Sequence, residues 1–83
     1  QEMLTRKQKM MEMIMLRLRT FEGLDIDKFQ ALFHISFEKK FEDTLKSILK
    51  EHFGFFNDNR FALTLEGKSH LNGIVEAFAK GIY

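Results

Sequence analysis

Cysteine is absent from this chain of 83 residues. Its absence excludes disulfide bonds, thiolate zinc sites, cysteine nucleophiles and cysteine ligation of an iron–sulfur cluster within these residues. A chain without disulfides fits a reducing compartment, and we expect it to be cytoplasmic.

Proline is also absent, and the chain has no low-complexity stretch, no linker-like composition and no internal repeat. We therefore expect one domain over residues 1–83, since single cores form from about 50 residues upward. No apolar run approaches the ~20 residues of a membrane span, and no signal-peptide pattern is present. Because the first residue is Gln1 rather than Met, we expect a domain excised from a larger protein.

Positive and negative charges nearly balance, because 13 basic and 12 acidic residues leave a net charge of +1. No strong field therefore attracts nucleic acid or anionic lipid. Apolar residues, in contrast, are plentiful: they make up 45% of the chain and include ten Phe and five Met. This content is ample for a core and excludes a disordered tail.

The first predicted helix begins at Thr5 as its N-cap and ends before Gly23. Its apolar residues recur at helical spacing, which predicts one buried face. That face comprises Met11, Ile14, Met15 and Leu18, widened by Met10 and Met13. The methionines have a second interpretation as an adaptable partner surface, because Met side chains repack easily.

Two further helices are predicted between Asp25 and Gly54. Asp25 is the expected N-cap of a short second helix that breaks at His34-Ile35, and Ser36 is the expected N-cap of a third, which ends at Gly54. The apolar positions of the second helix are Ile26, Phe29, Leu32 and Phe33. Those of the third are Phe37, Phe41, Leu45, Ile48, Leu49 and Phe53.

A β-hairpin and a last helix complete the predicted fold. Phe55-Phe56 and Phe61-Ala62-Leu63 flank a polar turn over residues 57–60. Thr64 caps the last helix, whose core face is Leu71, Ile74, Val75, Phe78 and Ile82. The fold class is mainly α with a small β-hairpin: a winged-helix-like three-helix core, the hairpin, and a C-terminal helix. A bare hairpin is marginal in water, so its Phe residues must pack on the third helix.

Motifs of catalysis and metal binding are not found. His34, His52 and His70 have no partner at a spacing such as H-x-x-x-H, so we interpret them as surface or boundary residues, with a haem or zinc ligand as the lesser alternative. Thr64-Leu65-Glu66-Gly67 lacks the glycines and the Lys-Ser/Thr of a phosphate-binding loop. We predict no catalytic, cofactor-binding or metal-binding residue in this chain.

The first helix is the most basic part of the chain, with five basic and two acidic residues over positions 1–19. Arg17 and Arg19 are best suited to hold a carboxylate or phosphate with two hydrogen bonds. Two interpretations stand: a solvated helix face, or a contact with an acidic neighbouring domain or an anionic ligand. Arg17 and Arg19 are thus the candidate interface or anion contacts.

A winged-helix plan also raises the alternative of a free-standing DNA- or protein-binding module. Residues 38–52, which would include the recognition helix, hold four acidic and four basic residues. They contain no Arg, Asn or Gln that could read base edges. We therefore do not expect nucleic acid as a partner, and salt-steep binding to random duplex would favour this alternative.

Three stretches, taken together, resemble a known family. Leu4-Thr5, residues 12–19 (EMIMLRLR) and residues 22–25 with Phe29 follow the order L-T, E-x-x-M-x-x-L-R and G-[IVL]-[DN]. Residues 61–67 with Leu71-Asn72 follow a strand, L-T-x-x-G and L-N. Over nearly the whole chain, the pattern resembles the C-terminal domain of oxygen-independent coproporphyrinogen III oxidase-like proteins.

The resemblance implies a parent protein of the radical S-adenosylmethionine class, whose barrel holds a [4Fe–4S] cluster through three cysteines. Some members decarboxylate coproporphyrinogen III oxidatively and others are haem chaperones, and both stay open. For this chain the resemblance implies a non-catalytic accessory domain that packs on the barrel of the same polypeptide and covers its cleft. Haem or porphyrin at the domain junction is a further candidate partner, through Arg17, Arg19 or a histidine.

Overall fold

The computed structural model describes residues 4–83, in which short helices and strands follow one another closely. In chain order they are α1 (Arg6–Leu18), β1 (Leu24–Asp25), α2 (Ile26–Phe33), α3 (Phe37–Lys40), α4 (Glu42–Lys50), β2 (Gly54–Asn57), β3 (Arg60–Leu63), α5 (Leu65–Ser69) and α6 (Leu71–Ile82). The strands form one antiparallel sheet in the order β1-β3-β2. The mainly helical fold with a small hairpin is confirmed.

Four helices begin at the polar residues that the sequence predicts as caps. Thr5 Oγ1 accepts the N–H of Gln8 at 3.1 Å, and Gln8 Oε1 accepts the N–H of Thr5 at 2.8 Å. Asp25, Ser36 and Thr64 each accept the N–H three residues further along. Such a cap contributes about 1 kcal/mol because it satisfies an amide that the helix leaves without a partner.

The predicted third helix is in fact two helices, and Gly54 does not end it. The backbone of Phe41 leaves helical geometry, with φ −111° and ψ 28°, which separates α3 from α4. His52, with φ 61°, takes the left-handed conformation just after α4. Gly54 begins β2 instead, where a Cβ would lie 2.7 Å from the Phe61 ring and 2.9 Å from Ile48. Close packing, not the helix end, requires this glycine.

The predicted last helix is also divided. Thr64 caps only α5, and the backbone of His70, with φ −110° and ψ 24°, separates α5 from α6. Strand β1, in contrast, was not predicted at all. It pairs Leu24 with Phe61 and Asp25 with Arg60. Two residues are too few to produce an alternating apolar pattern in the sequence.

The hairpin turns at Asp58 and Asn59, whose φ values of 49° and 62° match the two left-handed positions of a type I′ turn. Asn59 then joins this turn to the start of α2. Its carbonyl accepts the N–H of Ile26 at 2.9 Å, and its side-chain amide donates to Asp27 at 3.1 Å. The hairpin is therefore stabilised by hydrogen bonds from its turn to α2 as well as by the hydrogen bonds between its two strands.

Phenylalanine rings form the centre of the core. The ring of Phe37 lies 5.2 Å from that of Phe29, 5.3 Å from Phe41, 5.8 Å from Phe78 and 6.1 Å from Phe61, and all five side chains are buried. These rings come from α2, α3, β3 and α6 and from the break after α3. Elements far apart in sequence therefore share one nucleus.

Only part of the hairpin packs on this core. Phe61 is fully buried, whereas Phe55 and Phe56 remain 42% and 40% exposed. The expectation that all the hairpin phenylalanines pack inward is wrong for Phe55 and Phe56, because successive side chains of a strand point to opposite faces, although the Phe56 ring lies 5.0 Å from that of Phe61.

Several apolar residues predicted on core faces lie at the surface. The buried face of α1 is Met10, Ile14 and Leu18, with Met11 and Met13 half-buried, whereas Met15 is 36% exposed. Leu32 and Leu49 are 59% and 38% exposed. The methionines therefore divide between the core and the surface, and their interpretation as a partner surface stays a prediction.

Candidate functional site

The structure places Arg17 and Arg19 on different sides of the end of α1. Both side chains are exposed. Two residues along a helix are separated by about 200° of rotation, so neighbours of this kind cannot point the same way. Arg17 lines a groove between α1 and α2, whereas Arg19 lines a groove beside Tyr83 at the chain end. They do not form one anion site together.

We name the cleft beside Arg17 the α1–α2 groove. It has a volume of about 570 Å³ and combines apolar with basic side chains. Its lining comprises Lys9, Glu12, Met13, Leu16, Arg17, Lys28, Leu32 and Phe33. Leu16 and Leu32 are 55% and 59% exposed, so the apolar part of the groove is open to solvent.

A smaller polar pocket continues the α1–α2 groove towards β1. The two share Arg17 and Lys28, and the pocket adds Arg60 and Asp25. Arg60 Nη2 lies 3.9 Å from Asp25 Oδ2, the one ion pair found in residues 4–83. Glu22 lines the same pocket, but within the described part of the chain no carboxylate lies within ion-pair distance of the Arg17 or Lys28 cations.

A second large groove, which we name the α4–α6 groove, runs between those two helices and has a volume of about 730 Å³. Its α6 side is open because Gly73, Ala77 and Gly81 present little or no side chain.

The three histidines are exposed and lie in different places. His70 lines the α4–α6 groove, and its ring lies 4.6 Å from that of Phe53. His34 and His52 lie at the ends of α2 and α4.

Reactive groups do not converge in residues 4–83. No polar or charged side chain there is buried, and no three His, Asp or Glu residues are placed to hold a metal ion. Nor does this part of the chain contain a helix with the length and apolar character to cross a membrane.

Sequence reasoning found Arg17 but missed its neighbours on α2. Nothing in the sequence pattern distinguishes Lys28, and the spacing of Leu32 from Phe29 and Phe33 predicts a buried position for it. A helix of eight residues has little more than two turns, so one apolar residue at the edge of its buried face can lie either inside or outside.

No curated protein and no solved structure has significant similarity to the chain. One family profile, described as the HemN C-terminal domain, matches residues 4–70. The match includes α1 to α5 and the whole sheet. It leaves α6 outside, although Phe78 of α6 is part of the central ring cluster. The resemblance seen in the sequence is thus confirmed, and the chain belongs to the HemN C-terminal domain family.

Proposed function

We propose that this chain is the non-catalytic accessory C-terminal domain of an oxygen-independent coproporphyrinogen III oxidase-like protein, which acts in haem or porphyrin metabolism in the cytoplasm. Residues 1–83 form the one domain that packs on the radical S-adenosylmethionine barrel of the same polypeptide and covers its cleft. A cover of this kind excludes water and prevents side reactions. The observation that carries the proposal is the family match over residues 4–70.

The shape of the domain supports an accessory role. Its apolar nucleus is closed, and the grooves that it offers are open surface clefts. The donor set of this chain does not fit a [4Fe–4S] cluster, because it contains no cysteine. Cluster and S-adenosylmethionine therefore belong to the barrel in this proposal, and this chain contributes no ligand to either.

The isolated 83-residue chain is expected to lack both activities of the parent class. After reconstitution with iron and sulfide it should show no cluster absorption, and it should not cleave S-adenosylmethionine to 5′-deoxyadenosine. The polypeptide that carries domain and barrel together, treated in the same way, is the positive control. Cluster uptake or cleavage by the isolated chain would refute the accessory role.

The alternative of a DNA-binding module gains no support from the surface of α4. This helix carries Glu42 and Asp43 in its first turn and Lys46 and Lys50 further along, so its acidic and basic residues balance. A helix that enters the major groove needs a net basic face, since counterion release drives the binding.

Direct contact with haem or porphyrin at the domain junction is a second candidate, and the α4–α6 groove favours it. The groove has an apolar floor that includes Phe41 and Ile74, and His70 lies at its border. Lys39, Lys40 and Lys80 also line it, and they stand beside three acidic residues, Glu42, Asp43 and Glu51. Imidazole, apolar surface and ammonium groups suit the iron, the ring and the carboxylates of a haem, respectively.

Titration of haem into the isolated chain tests this candidate. We expect a shifted Soret band for the wild type, its loss in His70→Ala, and an unchanged spectrum in the Arg17→Ala/Arg19→Ala double variant. His34→Ala is the matched control, because His34 is exposed and lines neither large groove. Equal spectra for the wild type and His70→Ala would remove the candidate, and loss of the band in the arginine variant would move the contact to α1.

A further inference from the structure

The α1–α2 groove carries more exposed apolar surface than the fold requires. Met10, Ile14 and Leu18 already bury one face of α1 in the core. Leu16 lies outside that face, and Leu32 of α2 lines the same groove. Single exposed leucines are ordinary on protein surfaces, but here two of them line one groove.

The two helices that bound this groove are held together at one end. Arg6, in the first turn of α1, donates a hydrogen bond to the carbonyl of Phe33, the last residue of α2. Phe33 is 6% exposed and belongs to the core while it also lines the groove. Because the groove is preformed, binding there loses little conformational entropy.

The charges around the groove are unbalanced. Three basic residues line it, Lys9, Arg17 and Lys28, against one acidic residue, Glu12, and the adjoining polar pocket adds Arg60 beside Glu22 and Asp25. The chain as a whole has a net charge of +1, so this excess is local. Within residues 4–83 none of the three cations takes part in an ion pair. An occupant with carboxylates beside its apolar groups complements this surface.

We infer that the α1–α2 groove docks an acidic amphipathic segment of the catalytic barrel. Apolar side chains of that segment cover Leu16 and Leu32, and its carboxylates pair with Arg17 and Lys28. This inference rests on the proposed function, in which barrel and domain belong to one polypeptide. A second copy of the same face is a poorer occupant, because a symmetric contact would bring like charges together.

Photo-crosslinking in the polypeptide that carries domain and barrel tests the inference. A benzophenone side chain at Leu16, which is exposed enough to accept it, should crosslink to a barrel peptide that has Asp or Glu next to large apolar residues. Leu65 is the matched control position, since it is 77% exposed and lies on α5 outside the groove. We expect no barrel crosslink from Leu65.

Charge reversal tests the carboxylate part of the inference. Lys28→Glu should lower the crosslink yield from Leu16 by at least about fivefold, because repulsion replaces attraction. Lys46→Glu, an exposed lysine of α4 outside the groove, should leave the yield unchanged. An unchanged yield in Lys28→Glu would overturn the assignment of an acidic partner.

A third crosslinker position separates failure of the inference from failure of the proposed function. Lys80 lines the α4–α6 groove, which no residue of α1 or α2 lines. Barrel crosslinks from Lys80 or Leu65 but not from Leu16 would overturn the inference and keep the accessory role. Crosslinks between two copies through Leu16 would assign the groove to self-association instead. Absence of barrel crosslinks from all three positions would overturn both.

Discussion

Replacement of Phe37 by alanine is expected to lower the free energy of unfolding by about 4 kcal/mol, among the larger effects of a single core truncation. Phe37 is fully buried and its ring contacts those of Phe29, Phe41 and Phe78. Truncation therefore leaves a cavity that several elements border at once. Small domains unfold with as little as about 5 kcal/mol, so about 1 kcal/mol would remain and roughly 15% of the variant should be unfolded at room temperature.

Thermal unfolding followed by circular dichroism measures this effect, and the midpoint should fall by roughly 20 °C in a domain of this size. Phe37→Leu keeps most of the volume and should cost only about 1.5 kcal/mol, which provides a folded variant for comparison. Phe21→Ala is the matched control, because Phe21 is 83% exposed. The Lys68 ammonium lies 3.6 Å from the centroid of its ring, a contact worth at most about 1 kcal/mol. Equal losses in Phe37→Ala and Phe21→Ala would contradict the assignment of the core.

The sequence predicts most of the fold because its local signals agree with the packing. Thr5, Asp25, Ser36 and Thr64 are caps in the structure as in the sequence. The breaks at Phe41 and within the last helix are different, since the apolar spacing continues through them. Phe41, at the first break, belongs to the central ring cluster, whereas His70, at the second, stacks on Phe53, and no residue type at either break announces it.

The candidate site is less predictable because it depends on how two helices lie side by side. Arg17 was identified by its chemistry, and the separation of Arg17 from Arg19 follows from helical geometry alone. Arg17 lines the same groove as Lys28, and Leu16 the same groove as Leu32, only because of how α1 and α2 lie relative to each other. Sequence spacing within one helix carries no information about that placement.

The folded unit extends beyond the residues that match the family, because α6 is part of its core. Residues 4–70 define the family, yet Ile74, Phe78 and Ile82 of α6 are buried in the same core as α1. The ring of Phe78 lies 5.0 Å from that of Phe41. A fragment that ends at His70 would therefore expose one side of the central ring cluster, so functional tests should use the chain through Tyr83.

Replacement of Gly67 by alanine is expected to destabilise the domain by about 3 kcal/mol, at the upper end of the usual cost of overpacking. A Cβ at Gly67 would overlap the carbonyl oxygen of Phe53 and lie 2.8 Å from its carbonyl carbon. That carbonyl cannot retreat easily, because it accepts the N–H of Thr64 at 2.9 Å. The small helical gain of alanine over glycine, about 1 kcal/mol, does not offset the overlap.

Gly73→Ala makes the same chemical change in α6 and should have the opposite sign. No atom lies within 4 Å of a Cβ at Gly73, so the helical preference of alanine acts alone and stabilises the domain by about 0.5–1 kcal/mol. Urea unfolding of the two variants beside the wild type measures both values. If Gly67→Ala were neutral or stabilising, α5 would not be in close contact with the backbone at Phe53. The expected difference gives the glycine of the L-T-x-x-G motif a steric role, in which α5 packs directly against the segment that leads from α4 into β2.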